Sequence, residues 1–407
     1  MKCFSKRVVF FVLIAWLALA IAFTPEDGRA AQRTAKDTSP VIVGVPLPLS
    51  GNLKEFGTIM QNSFEMARDS INKLGGINGR PLELVYVDTQ GKEASGEEVV
   101  KKLVIDHKAI MLVGGYSSSP TYVMARTAQK LDVPFLVSTA SADKITQKGW
   151  KNIFRLNPPI SEYTKGLEDF WIKNLKPKSM AIIYENSMFG TNGAMRMMSF
   201  CTDNAIDVHT LVGYDRNKAS PAYFRSMLAP LTAEPPDVIY MISYLEDAVD
   251  LVKTIRNIKI PSLLCGGAGG FTLTEFVKRA GDAANHLLTA TLWSEHLLFP
   301  GARKYYDEYV KLYAGEPDYH GVEAYSALLV TADALKRAES HDPKEIRLAL
   351  EKTFIITPFG PVKFYSYEDF ERQNSVRTLV LQILNGRFET VWPLDLATSQ
   401  FVQPGEK

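Results

Sequence analysis

The sequence predicts an α/β fold made of two doubly wound parallel-sheet lobes. The chain has 407 residues, which is more than one ordinary hydrophobic core accommodates. From Val41 onward, short apolar segments alternate with segments whose apolar residues recur at helical spacing. This alternation occurs twice, with a break at Asn157-Pro158-Pro159 between the two series. Continuous apolar strands separated by amphipathic helices indicate parallel sheets covered on both faces, so we expect two similar lobes.

The predicted elements follow the chain in order. In the first series we expect strands at 41–47, 82–87, 109–113 and 133–137, and helices at 56–74, 97–107 and 120–131. In the second series we expect strands at 180–184, 206–212, 238–242, 261–265 and 287–291, and helices at 191–201, 221–231 and 248–258. The chain closes with helices at 301–313, 321–338 and 343–352, β-like segments near 355, 362 and 376–384, and a hairpin turn at Asn385-Gly386 before 387–391.

Ser117-Ser118-Ser119-Pro120 follows two glycines directly after the predicted strand 109–113. Ser118 or Ser119 is placed to cap the next helix, with Pro120 at the first helical position. A helix N-terminus offers unpaired N–H groups and partial positive charge, so it suits an anionic or acceptor group. Since the turn follows a parallel strand, it is the first candidate ligand site. The pattern Ser-Ser-Pro also begins many helices that bind nothing.

The first 31 residues have the pattern of a secretory signal peptide and leader. Three cationic residues precede the apolar run at 8–22, and Ala20-Ile21-Ala22 supplies a small-x-small cleavage pattern. The run is shorter than the roughly twenty residues that a membrane span needs. An uncleaved anchor is therefore the less favoured alternative.

Composition and motifs argue against several classes of function. A net charge of +1 without a basic stripe argues against nucleic-acid binding. The sequence has no CxxC pair and no HExxH, GxSxG or Walker motif, so we expect neither enzyme activity nor a metal or cofactor. The glycines within 266–270 follow a strand, but Thr272 stands where a dinucleotide fingerprint needs glycine. Beyond the signal, Cys201 and Cys265 either pair or remain buried free thiols.

Four stretches carry a family resemblance, in the order VGVPLPLSGNLKEFG, ARDSINKLGGINGRPLELVYVDTQ, GGYSSSPTY and STASADKITQKG. Together they closely resemble the type I periplasmic solute-binding proteins of branched-chain amino acid (Leu/Ile/Val) ABC transporters, over about 41–391. The resemblance implies two lobes joined by three crossovers, which close on a solute like a clamshell. The implied lobes are 41–158 with 292–367, and 159–291 with 368–395.

The resemblance also implies polar ligand positions. Ser118 matches the serine whose hydroxyl and N–H bind the ligand carboxylate, and Tyr116 and Ser117 lie beside it in the same turn. Ala140 and Ser141 match a backbone-carbonyl and a hydroxyl position in the turn after the fourth strand.

Aromatic positions come from both implied lobes. Phe56 and Phe189 match positions that are typically tyrosine in the family, so each lacks a hydroxyl here. Tyr244 matches the aromatic residue of the second lobe, and Trp293 is a further candidate.

Ala268 is the clearest departure from the family pattern. The family's amino-acid binders carry an acidic residue there for the ligand ammonium, and a buried ammonium without a partner is costly. Either another acid replaces it, with Glu295 and Glu323 as candidates, or the ligand has no α-amino group. The hydroxyl and aromatic residues favour the second alternative, an aromatic or apolar carboxylate, over a branched-chain or hydrophobic amino acid.

The function implied by the resemblance is solute capture for an ABC uptake transporter. A monomer would bind a small carboxylate-bearing solute in the periplasm by lobe closure and deliver it to the membrane permease. The alternative is a periplasmic ligand-sensing subunit for small amides or amino acids that acts on a signalling partner.

Overall fold

The computed structural model describes residues 38–403, so the expected signal peptide and leader at 1–31 lie outside the described residues. Residues 38–403 form two seven-stranded sheets and one two-stranded sheet. The strands are β1 (Val41–Leu47), β2 (Leu82–Asp88), β3 (Met111–Gly114), β4 (Phe135–Val137), β5 (Ile153–Arg155), β6 (Ser179–Glu185), β7 (Asp207–Tyr214), β8 (Val238–Ile242), β9 (Leu263–Gly266), β10 (Leu288–Thr291), β11 (Phe354–Thr357), β12 (Gly360–Lys363), β13 (Tyr365–Tyr367), β14 (Phe370–Gln373), β15 (Leu379–Leu384) and β16 (Arg387–Trp392).

Helices cover the two large sheets. They are α1 (Lys54–Lys73), α2 (Gly96–Lys101), α3 (Ser118–Lys130), α4 (Ile160–Tyr163), α5 (Lys165–Phe170), α6 (Met188–Asp203), α7 (Pro221–Leu228), α8 (Leu245–Asn257), α9 (Thr274–Ala280), α10 (Ala302–Tyr313), α11 (Tyr319–Arg337) and α12 (Pro343–Glu351). The central strands are buried along their whole length, as in β3 and β8, because helices lie on both faces. This confirms the predicted α/β class.

Both large sheets are built in the same way. Their parallel strands have the orders β2-β1-β3-β4-β5 and β7-β6-β8-β9-β10, which correspond strand for strand. In such sheets ligands bind at the carboxyl ends of the strands, where the strand order reverses. In this chain that point lies beyond β1 and β3 in the first sheet and beyond β6 and β8 in the second. We call the units built on these sheets the first and the second lobe.

Each sheet is completed by late segments of the chain, which produces three crossovers between the lobes. β13 and β14 extend the first sheet beyond β5, and the antiparallel strands β15 and β16 extend the second sheet beyond β10. The expected lobe boundary at 367/368 is therefore wrong, since β14 pairs with β5 of the first sheet and the third crossover follows Gln373. The boundaries at 158/159 and 291/292 stay predictions.

Most predicted strands and helices are present, with bounds that shift by a few residues. The helix after β3 begins earlier than predicted, because Ser117 is the N-cap and Ser118 is already helical. Pro120 is tolerated inside this first turn, where the backbone N–H groups have no intrahelical partner. The sequence also predicted no element between β4 and β6, although β5, α4 and α5 lie there. Pro159, interpreted as part of a break, takes an extended conformation and is the N-cap of α4.

The remaining expectations concern cysteines, metals and membranes. Cys201 and Cys265 are both free and buried, and burial raises the pKa of the Cys201 thiol to about 12. Within residues 38–403 no group of His, Cys, Asp and Glu is arranged to hold a metal ion. No helix in that same range has the length and apolar character needed to cross a bilayer.

Candidate functional site

A cavity of about 20 Å³ lies where the carboxyl ends of the strands of both lobes meet. This volume holds about one water molecule, so the lobes must part to admit a solute. Its lining residues are Tyr116, Ser118, Thr139, Ser141, Tyr163, Phe189, Tyr244, Gly269, Tyr319 and His320.

The turn after β3 brings the Ser118 hydroxyl to this cavity, whereas Ser117, also expected there, does not line it. Gly115 has a φ of 82° and an added Cβ would lie 2.9 Å from the Thr121 side chain, so only glycine allows β3 to turn directly into α3. The Ser117 hydroxyl lies 3.4 Å from the Tyr244 hydroxyl of the second lobe. Ser118 Oγ accepts a hydrogen bond of 3.1 Å from the Ala142 N–H, which leaves its own proton free to be donated.

The turn after β4 supplies Thr139 and Ser141 to the cavity, but not Ala140. The Ala140 carbonyl, expected to accept from the ligand, instead accepts a hydrogen bond of 3.4 Å from the buried Arg155 guanidinium. Asn157 holds the same turn from the first crossover, since its Nδ2 donates to the Thr139 carbonyl at 2.5 Å. The ligand role expected of the Ala140 carbonyl stays a prediction, since a carbonyl oxygen can accept a second hydrogen bond.

Aromatic rings from both lobes meet across the cavity. Tyr116 stacks on Phe56 with ring centroids 4.7 Å apart, so Phe56 supports the lining from behind and does not line the cavity itself. From the second lobe, the rings of Tyr244 and Phe189 lie 5.5 Å apart, and Tyr244 lies 5.9 Å from Tyr116. Burial raises the pKa of the Tyr116 and Tyr244 hydroxyls, so both stay protonated donors.

The N-terminus of α11 carries a polar group that joins the lobes. Asp318 caps α11 through the His320 N–H, and its Oδ2 lies 2.6 Å from His320 Nδ1. The Thr272 hydroxyl of the second lobe donates to the same Oδ2 at 2.8 Å. The Gly269 N–H also donates across to the Tyr319 hydroxyl at 3.4 Å. These bonds connect the two lobes beside the cavity.

Glu323 lies one turn beyond Tyr319 and His320 on α11. Its side chain is fully buried, and neither carboxyl oxygen has a hydrogen-bond partner by distance and angle. Burial is the main reason that its pKa lies well above the ordinary value, opposed by the nearby Thr139 hydroxyl and reinforced by Asp318. The raised pKa favours the neutral form of this carboxyl group.

A second buried acid, Glu185, lies at the end of β6 in the other lobe. Its Oε1 accepts from the Ser187 hydroxyl and, at 3.3 Å, from the Gly190 N–H. Burial raises its pKa, while the Arg216 guanidinium acts in the opposite direction. Arg216 also lies over the Tyr244 ring, 4.6 Å from its centroid. Glu185 thus belongs to a polar cluster with Ser187 and Arg216, which lies beside Tyr244 on the second-lobe side of the cavity.

The comparisons with known proteins decide the family. The sequence profile described as periplasmic binding protein matches residues 40–384, which is most of the chain. The chain belongs to the periplasmic binding protein family. A curated relative, the Leu/Ile/Val-binding protein homolog 7 of Brucella melitensis, is 24% identical over 386 residues, covering 91% of this chain and 96% of the relative.

Solved structures of periplasmic binding proteins share the fold. One is the branched-chain amino acid transporter substrate-binding protein LivJ of Streptococcus pneumoniae in complex with isoleucine, with a TM-score of 0.79, 24% identity and coverage of 87% of this chain and 100% of that chain. Another is a solute-binding protein of an ABC transporter from R. palustris in complex with benzoate, with a TM-score of 0.78, 20% identity and coverage of 89% and 98%.

Ala268, the departure from the family's amino-acid binders, lies beside the cavity at the end of β9. Its backbone has φ 62° and ψ −145°, a combination that is essentially restricted to glycine. The residue is fully buried, and the following Gly269 lines the cavity in its place. A strained alanine occupies this position, so the second lobe offers no carboxylate there.

Trp293 and Glu295 lie elsewhere, which corrects the expectation that they contribute to the central site of this periplasmic binding protein. Both line an outer groove of about 750 Å³. The Trp293 indole N–H donates to the Pro358 carbonyl at 3.0 Å, and Glu295 pairs with His296 at 3.3 Å. Trp293 thus fixes the chain near the second crossover.

Half of the cavity lining was missed by the sequence analysis. The missed residues are Thr139, Tyr163, Gly269, Tyr319 and His320. Tyr163 lies on the unpredicted α4, and Tyr319 and His320 come from α11, far along the chain. The Asp-x-His pattern at the start of α11 could have indicated His320. An aspartate at the N-cap can bond both the backbone N–H and the imidazole of the residue two positions later, as Asp318 does here.

Proposed function

We propose that this periplasmic binding protein is the substrate-binding component of an ABC uptake transporter. It captures a small carboxylate-bearing solute in the central cavity, closes its lobes around it and delivers it to the membrane permease. The observation that carries the proposal is the position of Ser118, at the first turn of α3 and in a cavity walled by aromatic rings of both lobes.

The first turn of α3 is suited to a carboxylate. Ser118 provides a hydroxyl proton, the helix N-terminus provides backbone N–H groups and partial positive charge, and Ser141 provides a second hydroxyl. Hydrogen bonds to an ionised group are the stronger ones, at about 1.5–3 kcal/mol each. The carboxylate is therefore expected on the first-lobe side of the cavity.

The aromatic wall is suited to the apolar part of the solute. Tyr116, Phe189 and Tyr244 are almost fully buried in the closed lobes, and each presents ring surface to the cavity. Branched-chain amino acids and aromatic carboxylates both combine an apolar body with a carboxylate. The two structural relatives described above hold isoleucine and benzoate, one member of each class.

Closure is the expected mechanism of capture. The Ser117–Tyr244 and Asp318–Thr272 contacts form only when the lobes approach each other. A solute that contacts both lobes shifts the population toward this closed form, which a permease then recognises. The proposed location is the periplasm, reached through the N-terminal signal, and the proposed functional unit is a monomer.

A thermal-shift screen with Ser118→Ala tests the proposal. The purified chain is heated with isoleucine, leucine, phenylalanine, benzoate or 4-hydroxybenzoate, and the shift is compared with the ligand-free melting temperature of the same variant. The best solute should bind Ser118→Ala at least about ten-fold more weakly, because one hydrogen bond to a charged group is lost. The matched control is Ser119→Ala, since Ser119 is the next residue but does not line the cavity. An equal response of both variants and the unmodified chain would exclude this site.

Transport is tested in cells. Deletion of the gene should abolish accumulation of the radiolabelled solute identified in the screen, and re-expression should restore it. Normal accumulation in the deletion strain, combined with a changed transcriptional response to the solute, would indicate a sensor instead.

A further inference from the structure

Glu323 is a fully buried acid without a counter-ion, and neither of its carboxyl oxygens has a hydrogen-bond partner. Its neighbours include Thr139, Tyr163 and Tyr319, and all three of them line the cavity. Glu323 itself does not line the cavity but lies behind these residues. A cationic group held between Thr139 and Tyr163 would therefore lie close to an acid that has no counter-ion.

The surroundings of Glu323 supply no positive charge. Asp318 is the one charged side chain of residues 38–403 that acts on it, and its charge opposes ionisation. The buried face of α1 and the strands β3 and β4, which pack on α11, are apolar or hydroxyl-bearing, and β11 carries no titratable residue. α12 meets α11 at its far end, where Arg337 donates to the Ala349 carbonyl.

Glu185, the comparable buried acid of the second lobe, differs from Glu323 in having hydrogen-bond donors and a cation nearby. Two donors bond its Oε1 and the Arg216 guanidinium lies nearby, so it has a cationic neighbour without a ligand, although its Oε2 has no hydrogen-bond partner. Glu323 has an unsatisfied carboxyl on both oxygens. A buried acid with no partner lowers the stability of the fold, unless a bound ligand supplies the partner.

We propose that Glu323 is the partner of the solute's ammonium group and gives up its proton to solvent when the solute binds. This inference rests on the proposed function and narrows the solute to a carboxylate that also bears an amine, contrary to the preference drawn from the sequence. The ammonium keeps its own proton, the Glu323 carboxyl loses one, and an ion pair replaces a neutral group. Glu323, on the first lobe, thus takes the role that Ala268 cannot perform.

The proposal predicts proton-coupled binding. At pH values at which the ligand-free protein keeps Glu323 neutral, binding of isoleucine should release about one proton per solute. The affinity for isoleucine should then rise about ten-fold for each unit increase in pH. A carboxylate without an amine, such as 4-methylpentanoate or benzoate, should release none.

Calorimetric titration in two buffers of different ionisation enthalpy measures this release. We expect isoleucine binding enthalpies that differ between the buffers by the equivalent of about one proton. Glu323→Gln should fold, since glutamine has the shape of the neutral acid, and should abolish both the buffer dependence and the pH dependence. It should also weaken isoleucine at least about ten-fold relative to 4-methylpentanoate.

Glu185→Gln is the matched variant, because it also removes a buried carboxyl that lies behind a lining residue, Tyr244. Proton release that persists in Glu185→Gln and is lost in Glu323→Gln supports the proposal, and the reverse pattern overturns it. Tight, Ser118-dependent binding confined to amine-free carboxylates, or amino-acid binding without proton release, would overturn it while leaving the proposed function intact. Binding of no carboxylate at all would contradict both.

Discussion

The charge of Glu323 should be visible in the stability of the empty protein. Burial raises the pKa of this carboxyl above its unfolded value, so above about pH 4.5 the unfolded chain loses a proton that the folded chain keeps. Stability from this group is therefore fully present at low pH and is lost as the pH rises toward the folded pKa. Glutamine does not titrate, so the advantage of Glu323→Gln over the unmodified chain should grow with pH, by up to about 1.4 kcal/mol per unit.

Urea unfolding between about pH 5 and about pH 8 measures this difference. The control is Glu295→Gln, because the Glu295 side chain is 30% exposed at the outer groove. It should follow the pH profile of the unmodified chain. A constant difference between Glu323→Gln and the unmodified chain across this range would mean that the Glu323 carboxyl is not held neutral.

Single residues were predictable from sequence where the local pattern fixed them. Ser118 and Tyr116 follow a strand and two glycines, and Tyr244 comes two residues after β8, so strand ends alone place them at the cavity. Tyr163 and His320 were not predictable in this way. Their positions depend on the crossover and on the packing of α11 against α1, which are contacts between segments distant in sequence.

At the scale of elements, Arg155 ties three segments together. From the end of β5 its guanidinium donates to the Ala142 carbonyl at 2.8 Å, to Thr146 Oγ1 at 2.7 Å and to Gln373 Oε1 of β14 at 2.6 Å. Burial lowers the pKa of Arg155 to about 10. The side chain thus fixes the cavity turn after β4 to the strand that precedes the third crossover.

Arg155→Met should destabilise the fold by about 3 kcal/mol or more, because three buried acceptors each lose a donor worth about 1 kcal/mol or more. Urea unfolding measures the change. The control is Arg377→Met, which removes an ion pair to Asp395 in which both side chains are about 60% exposed. Such an exposed pair contributes little to stability, so equal effects of the two substitutions would contradict the role assigned to Arg155.

Strands and long helices were predicted because their periodic patterns are local. The segment from β5 to α5 was missed, since a proline pair indicates a break and also begins a helix. The third crossover was placed too early for a related reason. β14 is a four-residue strand whose pairing with β5 involves one residue pair, Gln373 with Arg155, and no sequence period marks it.

At the scale of the whole molecule, closure depends on contacts between the lobes. The Thr272–Asp318 hydrogen bond is buried, so Thr272→Val removes an interaction with a charged group that only the closed form makes. We expect the solute to dissociate about ten-fold faster, with little change in the association rate. Stopped-flow measurement of tyrosine and tryptophan fluorescence follows both rates.

Thr274→Val provides the control for this prediction. Thr274 also donates to an acid of the other lobe, Glu316 at 2.8 Å, but this bond is exposed to solvent. Its loss should change the dissociation rate less than about two-fold, because exposed interactions contribute little. Equal acceleration in both variants would mean that the buried contact has no special part in holding the lobes closed.

A crystal structure of the chain with the solute that binds best in the screen would show whether the solute binds between the lobes against Ser118. The solute carboxylate should lie within about 3.2 Å of Ser118 Oγ, and its apolar part between Tyr116 and Tyr244. A solute bound in the outer groove beside Trp293 and Glu295, with the central cavity unchanged, would contradict this placement.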